Sequence, residues 1–309
     1  MILTVTLNPS VDRAIYLDTL KLHDTNRVVK TATDAGGKGI NLSRVADELG
    51  GNTMAIGLLG GGPGAFVRSV LDRERVPHDF VEIAGETRVN FSVEDESDAP
   101  PTTFNERGPT ILASEWDALL AKCRAYAPTT GWACLGGSIP PGLDPDAYRT
   151  LGRIFKGAGC SLMIDADGEP MKLGLDARPD LIKPNSKEAS RLLDRPVESD
   201  NEAVTAARDL HAMGIPTVLL SRGADGAIMA NAEGVWFGSS PTVDAHSTIG
   251  SGDSLLGAFL WAIRSGFSPE AALQWGMAAG AATALTDGSE IARQAVIERL
   301  LPMAKVERV

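Results

Sequence analysis

The stretch STIGSGDSLLGAFL, residues 247–260, joins a glycine-rich turn directly to an apolar helical pattern, with one carboxylate at the junction. Glycines let a ligand approach the backbone, and the free N–H groups of a first helical turn attract anions. Asp253 can there accept a proton from a hydroxyl group while the N–H groups hold a phosphate. The pattern is typical of small-molecule kinases that lack a P-loop. Taken alone, however, Gly-Asp-Ser more often marks a simple helix cap.

Composition narrows the classes of partner. The chain has 309 residues, of which 43% are hydrophobic and 22% charged, as in ordinary soluble globular proteins. Its net charge of −11 argues against nucleic acid or an anionic membrane as a partner. Phosphorylated substrates would need local positive charge, which Arg27, Lys38, Arg88 and Lys183 can supply.

Targeting and metal-binding signals are missing from the sequence. The N-terminus has neither a basic stretch nor a cleavage site, and no apolar run approaches the ~20 residues of a membrane span. The three cysteines and four histidines show no metal-ligand spacing and no Ser-His-Asp arrangement. We therefore expect a cytoplasmic protein with no zinc site.

Strand and helix patterns alternate along most of the chain. Apolar runs predict strands at 2–7, 53–59, 132–135, 161–165, 180–183 and 217–221. Helical patterns cover 40–49, 63–76, 115–126, 145–157, 187–194, 201–213, 251–265, 269–285 and 291–301. The alternation predicts an α/β fold with a doubly wound, mostly parallel sheet flanked by helices, in a single domain over residues 1–309.

Two segments, at about 13–31 and 87–105, break this rhythm with β-type alternation and no partner helix. Paired, they would form a small β-sheet lid over the carboxyl ends of the main strands, where ligands bind in open α/β sheets. Plain surface hairpins are the alternative. The acidic run at 94–98 is most simply a solvated loop. Because a sheet of few strands is marginal alone and leaves open edges, we expect the lid to pair with its copy in a homodimer.

Further glycine-rich turns follow predicted strands. GGKGIN, residues 36–41, offers N–H groups, a lysine and an amide side chain but lacks the ending of a P-loop. NPSVD, residues 8–12, places a carboxylate where it can accept sugar hydroxyls. In isolation, each motif is explained equally well as a tight turn or an Asx turn.

Three more motifs have strong structural alternatives. GGSIPPG at 136–142 and SRGADG at 221–226 are explained by turn chemistry alone, although the second also suits a nucleotide. In KPNSKE, residues 183–188, Asn185 and Glu188 have the spacing of a capping box. In a functional interpretation, the same two residues would place water around Mg²⁺ near nucleotide phosphates.

The order of these motifs resembles that of the ribokinase-like sugar kinases, the phosphofructokinase B family. The resemblance covers nearly the whole chain and implies a kinase that uses ATP and Mg²⁺. TRVN, residues 87–90, is similar to the phosphosugar branch of the family: 1-phosphofructokinase, tagatose-6-phosphate kinase and the minor 6-phosphofructokinase.

The resemblance implies roles by position. Asp253 would be the general base, with an anion hole formed by Gly250, Ser251 and Gly252. Contacts to the sugar would come from Asp12, Gly37, Asn41 and Ser138. Contacts to the phosphate of the sugar would come from Lys38 and Arg88, the latter gripping two phosphate oxygens. The ATP·Mg side would comprise Lys183, Asn185, Glu188, Ser221, Gly223 and Gly226. Arg27 falls where a basic residue of a neighbouring subunit reaches the site in some relatives.

Gly136, Arg222 and Arg107 depart from the family pattern, and leave the substrate isomer open. The expected activity is an ATP-dependent phosphohexose kinase that makes fructose 1,6-bisphosphate. The alternatives are a tagatose-6-phosphate kinase and a non-catalytic regulator that binds sugar phosphates. A nicotinamide dehydrogenase is disfavoured, because GGGPG at 60–64 is not a Gly-x-Gly-x-x-Gly fingerprint.

Overall fold

The computed structural model of the chain describes residues 1–95 and 101–309. Its strands are β1 (Ile2–Thr6), β2 (Ser10–Tyr16), β3 (Lys30–Gly36), β4 (Thr53–Leu59), β5 (Val81–Glu82), β6 (Arg88–Glu94), β7 (Thr102–Phe104), β8 (Trp132–Gly136), β9 (Ser161–Asp165), β10 (Leu181–Ile182), β11 (Thr217–Ser221), β12 (Ala227–Asn231), β13 (Gly234–Ser239) and β14 (Lys305–Arg308). Its helices are α1 (Lys38–Glu48), α2 (Gly61–Glu74), α3 (Ala113–Tyr126), α4 (Ala147–Gly157), α5 (Gly168–Gly174), α6 (Ser186–Leu193), α7 (Asp200–Ala212), α8 (Ser251–Arg264), α9 (Pro269–Ala284) and α10 (Gln294–Leu300).

Ten strands form a large sheet in the order β14-β13-β12-β11-β10-β9-β8-β1-β4-β5. The seven strands from β11 to β5 are parallel, whereas β12, β13 and β14 add as antiparallel strands at one edge. The strand order reverses direction around β1, which lies between β4 and β8. In open parallel sheets this switch point leaves a crevice at the carboxyl ends of the strands.

Two apolar layers cover the large sheet. Alternation along β1 sends Leu3 and Val5 into a cluster with Leu119, Tyr148 and other residues of α3, α4 and α7. Ile2 points to the opposite face and packs in the cluster built from α1, α8, α9 and α10. The doubly wound arrangement predicted from the sequence is therefore confirmed.

The second sheet has four strands in the order β3-β2-β6-β7. Strand β2 follows β1 after only three residues and pairs in parallel with β6, Ser10 opposite Arg88 and Tyr16 opposite Glu94. Side chains of one face are polar and include Asp12, Arg88 and Asn90. We call this four-stranded sheet the lid.

The lid confirms the predicted small sheet but is longer than predicted, with strands at 10–16 and 30–36 instead of a single segment at 13–31. Part of the second predicted segment, 96–100, and with it part of the acidic run, lies outside the described residues. Strands β11 and β9 match their predicted bounds, whereas β10 has only two residues and α10 begins three residues late. The sequence patterns missed α5 and the antiparallel strands β12, β13 and β14.

All three cysteines are buried free thiols. Among residues 1–95 and 101–309, no helix has the length and apolar character that a membrane span requires.

Candidate active site

Helix α8 begins at the switch point and carries the carboxylate at the centre of the site. Its N-cap, Gly250, has a φ of 78°, a left-handed conformation that favours glycine. Asp253 lies in the first turn, and its Oδ2 accepts a hydrogen bond of 2.9 Å from Nδ2 of Asn41 on α1. The N-termini of α1 and α8 therefore converge on one carboxylate.

The environment of Asp253 keeps its proton affinity high for an aspartate. Burial, the largest influence, raises the pKa to about 6, and the neighbouring Asp165 also raises it. The charges of Lys38 and Lys183 and the hydrogen bond from Asn41 act in the opposite direction. A carboxylate of this kind is ionised at neutral pH yet basic enough to accept a proton during a reaction.

Asp165, at the end of β9, holds the two lysines of the site together. The carboxylate is 1% exposed and forms ion pairs with Nζ of Lys38 at 2.7 Å and Nζ of Lys183 at 3.2 Å. Burial alone would raise its pKa, but the charges of Lys183 and Lys38 outweigh burial and hold the pKa below its ordinary value. The sequence patterns missed Asp165, although it ends a parallel strand at the same sheet edge as Gly136 and Lys183, a signal that could have found it.

The polar face of the lid contains the carboxylate of Asp12, one oxygen of which is already hydrogen-bonded within the lid. Oδ1 of Asp12 accepts hydrogen bonds from Oγ of Ser10 at 2.7 Å and from Nδ2 of Asn90 at 2.9 Å. Oδ2 faces Gly36, where a Cβ would come within 2.1 Å of it, so a larger residue at position 36 would displace the carboxylate of Asp12. Asn90, which the motif analysis quoted without a role, thus orients Asp12, and its own Oδ1 is buried without a hydrogen-bond partner in the described structure.

The side chain of Arg88 is partly engaged by the protein itself. Instead of presenting a free fork, its Nε donates to the carbonyl of Asn8 at 3.2 Å and its Nη1 to the carbonyl of Glu106 at 3.0 Å. The guanidinium therefore ties the base of the lid to the loop after β7, and fewer of its donors remain for a ligand than the sequence suggested.

Residues of the predicted site line two cavities. The larger, of about 800 Å³, is lined by Lys38, Arg88, Ser138, Glu188 and Arg107 among others. The smaller, of about 320 Å³, reaches Ser251 and Gly252 and is walled by Val243, Leu255 and Met277. A small recess that includes Lys38, Asp165 and Asp253 lies beside the larger cavity.

The smaller cavity gathers the predicted nucleotide turn. Ser221, Gly223 and Gly226 line it together with the first turn of α8. A Cβ at Gly252 would come within 3.4 Å of Nζ of Lys183, so the lysine lies against this helix start. An apolar slot that ends at helix N–H groups and an ammonium group suits a flat apolar ring joined to an anion.

Asn185 and Glu188 form the capping box of α6. Oδ1 of Asn185 accepts a hydrogen bond of 2.9 Å from the N–H of Glu188, and Oε2 of Glu188 accepts one of 2.8 Å from the N–H of Asn185. Glu188 is 8% exposed and lines the larger cavity. Asn185 and Glu188 therefore cap α6, and Glu188 can in addition face a ligand in the larger cavity.

The remaining predicted residues divide into two groups. Oγ of Ser138 accepts a hydrogen bond of 3.0 Å from Nδ2 of Asn8, and Ser138 lines the larger cavity. Gly37 is the N-cap of α1, with a φ of 123°, and lines neither cavity in the described part of the chain. Arg27 is exposed in the connection between β2 and β3 and lines neither cavity in the described part of the chain.

No three histidine, cysteine, aspartate or glutamate side chains within residues 1–95 and 101–309 are grouped to hold a metal ion. The site combines a basic carboxylate, two lysines, an arginine and two helix N-termini with the two cavities. This arrangement suits phosphoryl transfer between two small molecules, with positioning and charge as its means. Fold and site together define a small-molecule phosphotransferase.

Comparisons with known proteins identify the family. The model of the pfkB family of carbohydrate kinases matches residues 5–295, and the chain belongs to this family. It is 35% identical over 286 residues to a 1-phosphofructokinase of Borreliella burgdorferi, with 92% of each chain covered. It is 37% identical over 281 residues to a 1-phosphofructokinase of Haloferax volcanii, covering 90% of this chain and 88% of the relative.

Among solved structures, the chain is similar to phosphofructokinase-2 of Escherichia coli in complex with substrates and products. The TM-score is 0.91 at 29% identity, with 98% of both chains covered. The chain is therefore a carbohydrate kinase, an enzyme that transfers a phosphoryl group to a sugar-type acceptor.

Proposed function

We propose that the protein is an ATP-dependent phosphohexose kinase whose product is fructose 1,6-bisphosphate. The observation that carries the proposal is the shared face of the lid: Asp12 and Asn90, suited to sugar hydroxyls, lie beside Arg88, suited to a phosphate. Arg88 lines the same cavity as Lys38, whose charge acts on Asp253. The similarity to proteins named 1-phosphofructokinase supports the same substrate class.

Sugar binding would use the atoms that the fold leaves free. Oδ2 of Asp12 and Oδ1 of Asn90 can accept hydroxyl protons, and Oδ1 of Asn41 is likewise buried without a partner in the described structure. Three oriented acceptors fix a polyhydroxy ring better than one, because each holds a different hydroxyl. Arg88, at the same lid face, would bind the phosphate already present on the sugar.

Asp253 would act as the general base. Its pKa of about 6 leaves the carboxylate ionised at neutral pH, ready to take the proton of the attacking hydroxyl. The hydrogen bond from Asn41 holds Oδ2, which orients the carboxylate. The N–H groups at the start of α8, with Gly250, Ser251 and Gly252, and the nearby Lys183 would offset the charge on the transferred group.

ATP would enter the smaller cavity, with its base between Val243, Leu255 and Met277 and its phosphates at the start of α8. Mg²⁺ prefers carboxylate and water oxygens, and Glu188, with one carboxylate oxygen outside the capping box, fits that preference. Asn185 fits less well, because its amide oxygen already accepts the N–H of Glu188. When bound, Mg²⁺ would neutralise charge on the phosphates.

A homodimer joined through the lid completes the proposal. Four large hydrophobic side chains of the lid and its loops are exposed, namely Leu22 at 77%, Val28 at 52%, Val29 at 66% and Phe104 at 58%. Their exposure, together with the open edges β3 and β7, favours a second copy as the covering surface. Arg27 lies in the same lid loop and would reach the partner's site.

A turnover panel tests the function. Fructose 1-phosphate, fructose 6-phosphate, tagatose 6-phosphate and unphosphorylated fructose are each offered with Mg·ATP, and ADP release is measured by a coupled assay. We expect a fructose phosphate to give the highest kcat/KM. Better turnover of tagatose 6-phosphate would support the alternative kinase, and no turnover of any sugar would support a non-catalytic regulator.

Arg88→Ala tests the phosphate contact. A hydrogen bond to a charged group contributes about 1.5–3 kcal/mol, so the KM for the phosphosugar should rise roughly ten- to a hundredfold. The KM for ATP should barely change. Unphosphorylated fructose is the control substrate, and its kcat/KM should fall much less. An unchanged KM for the phosphosugar would remove Arg88 from phosphate binding.

A further inference from the structure

We propose that Arg107 is a second phosphate-binding arginine, which determines the preference for phosphorylated over unphosphorylated acceptors. The inference rests on the proposed function and assigns to the sugar's phosphate a residue that departs from the family pattern. Arg107 lies in the loop between β7 and α3 and lines the larger cavity together with Lys38 and Arg88.

The loop that carries Arg107 is fixed at the cavity wall. The carbonyl of Arg107 accepts a hydrogen bond of 3.0 Å from Nδ2 of Asn8, and the carbonyl of Glu106 accepts one from Arg88. Oε2 of Glu106 accepts the N–H of Val89 at 2.9 Å. At Gly108, a Cβ would come within 2.2 Å of Oδ1 of Asn8. The backbone at Arg107 is thus held against the same asparagine whose own carbonyl Arg88 contacts.

Three cationic side chains line the larger cavity in the described structure, and Lys38 and Arg88 already have partners within the protein. Lys38 is ion-paired with Asp165, and Arg88 gives Nε and Nη1 to backbone carbonyls. The guanidinium of Arg107 has no hydrogen bond or ion pair within residues 1–95 and 101–309. It is exposed to solvent at the cavity mouth.

A sugar phosphate needs such a group in this chain. The protein carries a net charge of −11, and Glu106, Asp167, Glu169 and Glu188 line the same cavity. The phosphate of the sugar would therefore enter an acidic cavity in which Arg88 can offer only its remaining N–H groups. A free guanidinium on a fixed backbone can supply two parallel hydrogen bonds to phosphate oxygens.

The experiment compares Arg107→Ala and Arg107→Lys with Arg153→Ala. Arg153 is an exposed arginine of α4 that lines neither cavity, so its removal makes the same change in net charge. For the preferred ketose phosphate we expect Arg107→Ala to raise KM about tenfold with kcat nearly unchanged. Arg107→Lys should recover part of the loss. The KM for ATP and the kcat/KM for unphosphorylated fructose should stay at wild-type values.

The two proposals fail differently in this experiment. If the wild type phosphorylates no ketose phosphate, the proposed function falls. If the wild type does so and Arg107→Ala behaves like Arg153→Ala, the inference about Arg107 falls while the function stands. A purely structural role would lower kcat or melting temperature and would penalise phosphorylated and unphosphorylated acceptors alike. That outcome would also overturn the inference.

Discussion

Replacing Asp253 by asparagine should greatly reduce turnover while leaving binding nearly intact. Asparagine keeps the size of the side chain, and its amide oxygen can still accept the hydrogen bond from Asn41. The change removes the group that accepts the proton, and a positioned base contributes roughly 10²–10⁴-fold to a rate. The KM values for both substrates should therefore change little while kcat falls by that factor.

The pKa of Asp253 fixes the pH dependence of the wild type. With a pKa of about 6, the carboxylate is ionised in about nine-tenths or more of the molecules above pH 7 and in about a tenth at pH 5. The kcat/KM of the wild type should consequently fall about tenfold between pH 7 and pH 5. Asp253→Asn should lack this acid limb.

The same variant should be at least as stable as the wild type near neutral pH. Because the folded-state pKa of Asp253 is raised, its ionisation opposes folding above the unfolded value and this penalty disappears as the pH falls below it. Each pKa unit corresponds to about 1.4 kcal/mol, and partial exposure reduces the effect, so a gain of about 1–2 kcal/mol is expected.

Stopped-flow or coupled assays over pH 5–8, with calorimetric melting of both proteins, measure these quantities. Near-wild-type turnover by Asp253→Asn would refute the base role. So would an acid limb near pH 6 that persists in the residual activity of the variant. A lower melting temperature at pH 7 would refute the reasoning about burial.

Two predictions concern other parts of the molecule. Asp165→Asn removes a charge that raises the pKa of Asp253, so the acid limb should move to lower pH, and a limb at higher pH would contradict the electrostatic account. The same change leaves the buried Lys183 without its ionic partner, which should cost about 3–5 kcal/mol of unfolding free energy. Phe104→Asp should turn a lid-joined dimer into monomers in light scattering, whereas a monomeric wild type would contradict the proposed assembly.

The sequence predicted those parts of the fold where one local pattern decides the structure. The strands β9 and β11 are short apolar runs with clear ends, and their bounds match. The hairpin of β12 and β13 was missed, since its large apolar residues are adjacent, as in Ile228-Met229 and Val235-Trp236-Phe237, and leave only a weak alternation. Strand β14 is too short and charged to stand out, and forms only because β13 offers an edge.

The candidate site was predicted best where glycines mark it. Gly250 and Gly37 have conformations that favour glycine, so their positions carry a signal in the sequence itself. Asp165 lacks such a signal, because its meaning comes from lysines distant along the chain. The groups that accept hydrogen bonds from Arg88 are the backbone carbonyls of Asn8 and Glu106. Because every residue has a backbone carbonyl, the sequence gives no sign of these contacts.

The lid joins the body at points that are themselves parts of the site: the turn before Ser10, Gly36-Gly37, Thr87-Arg88 and the loop after Phe104. Thr87 is anchored there by two hydrogen bonds with Gly60. The far ends of β2 and β6 lie six residues away, about 20 Å along the strands. In the proposed dimer this distal rim, which includes the connection with Arg27, lies against the partner, so a reporter dye attached there would follow lid position and assembly together.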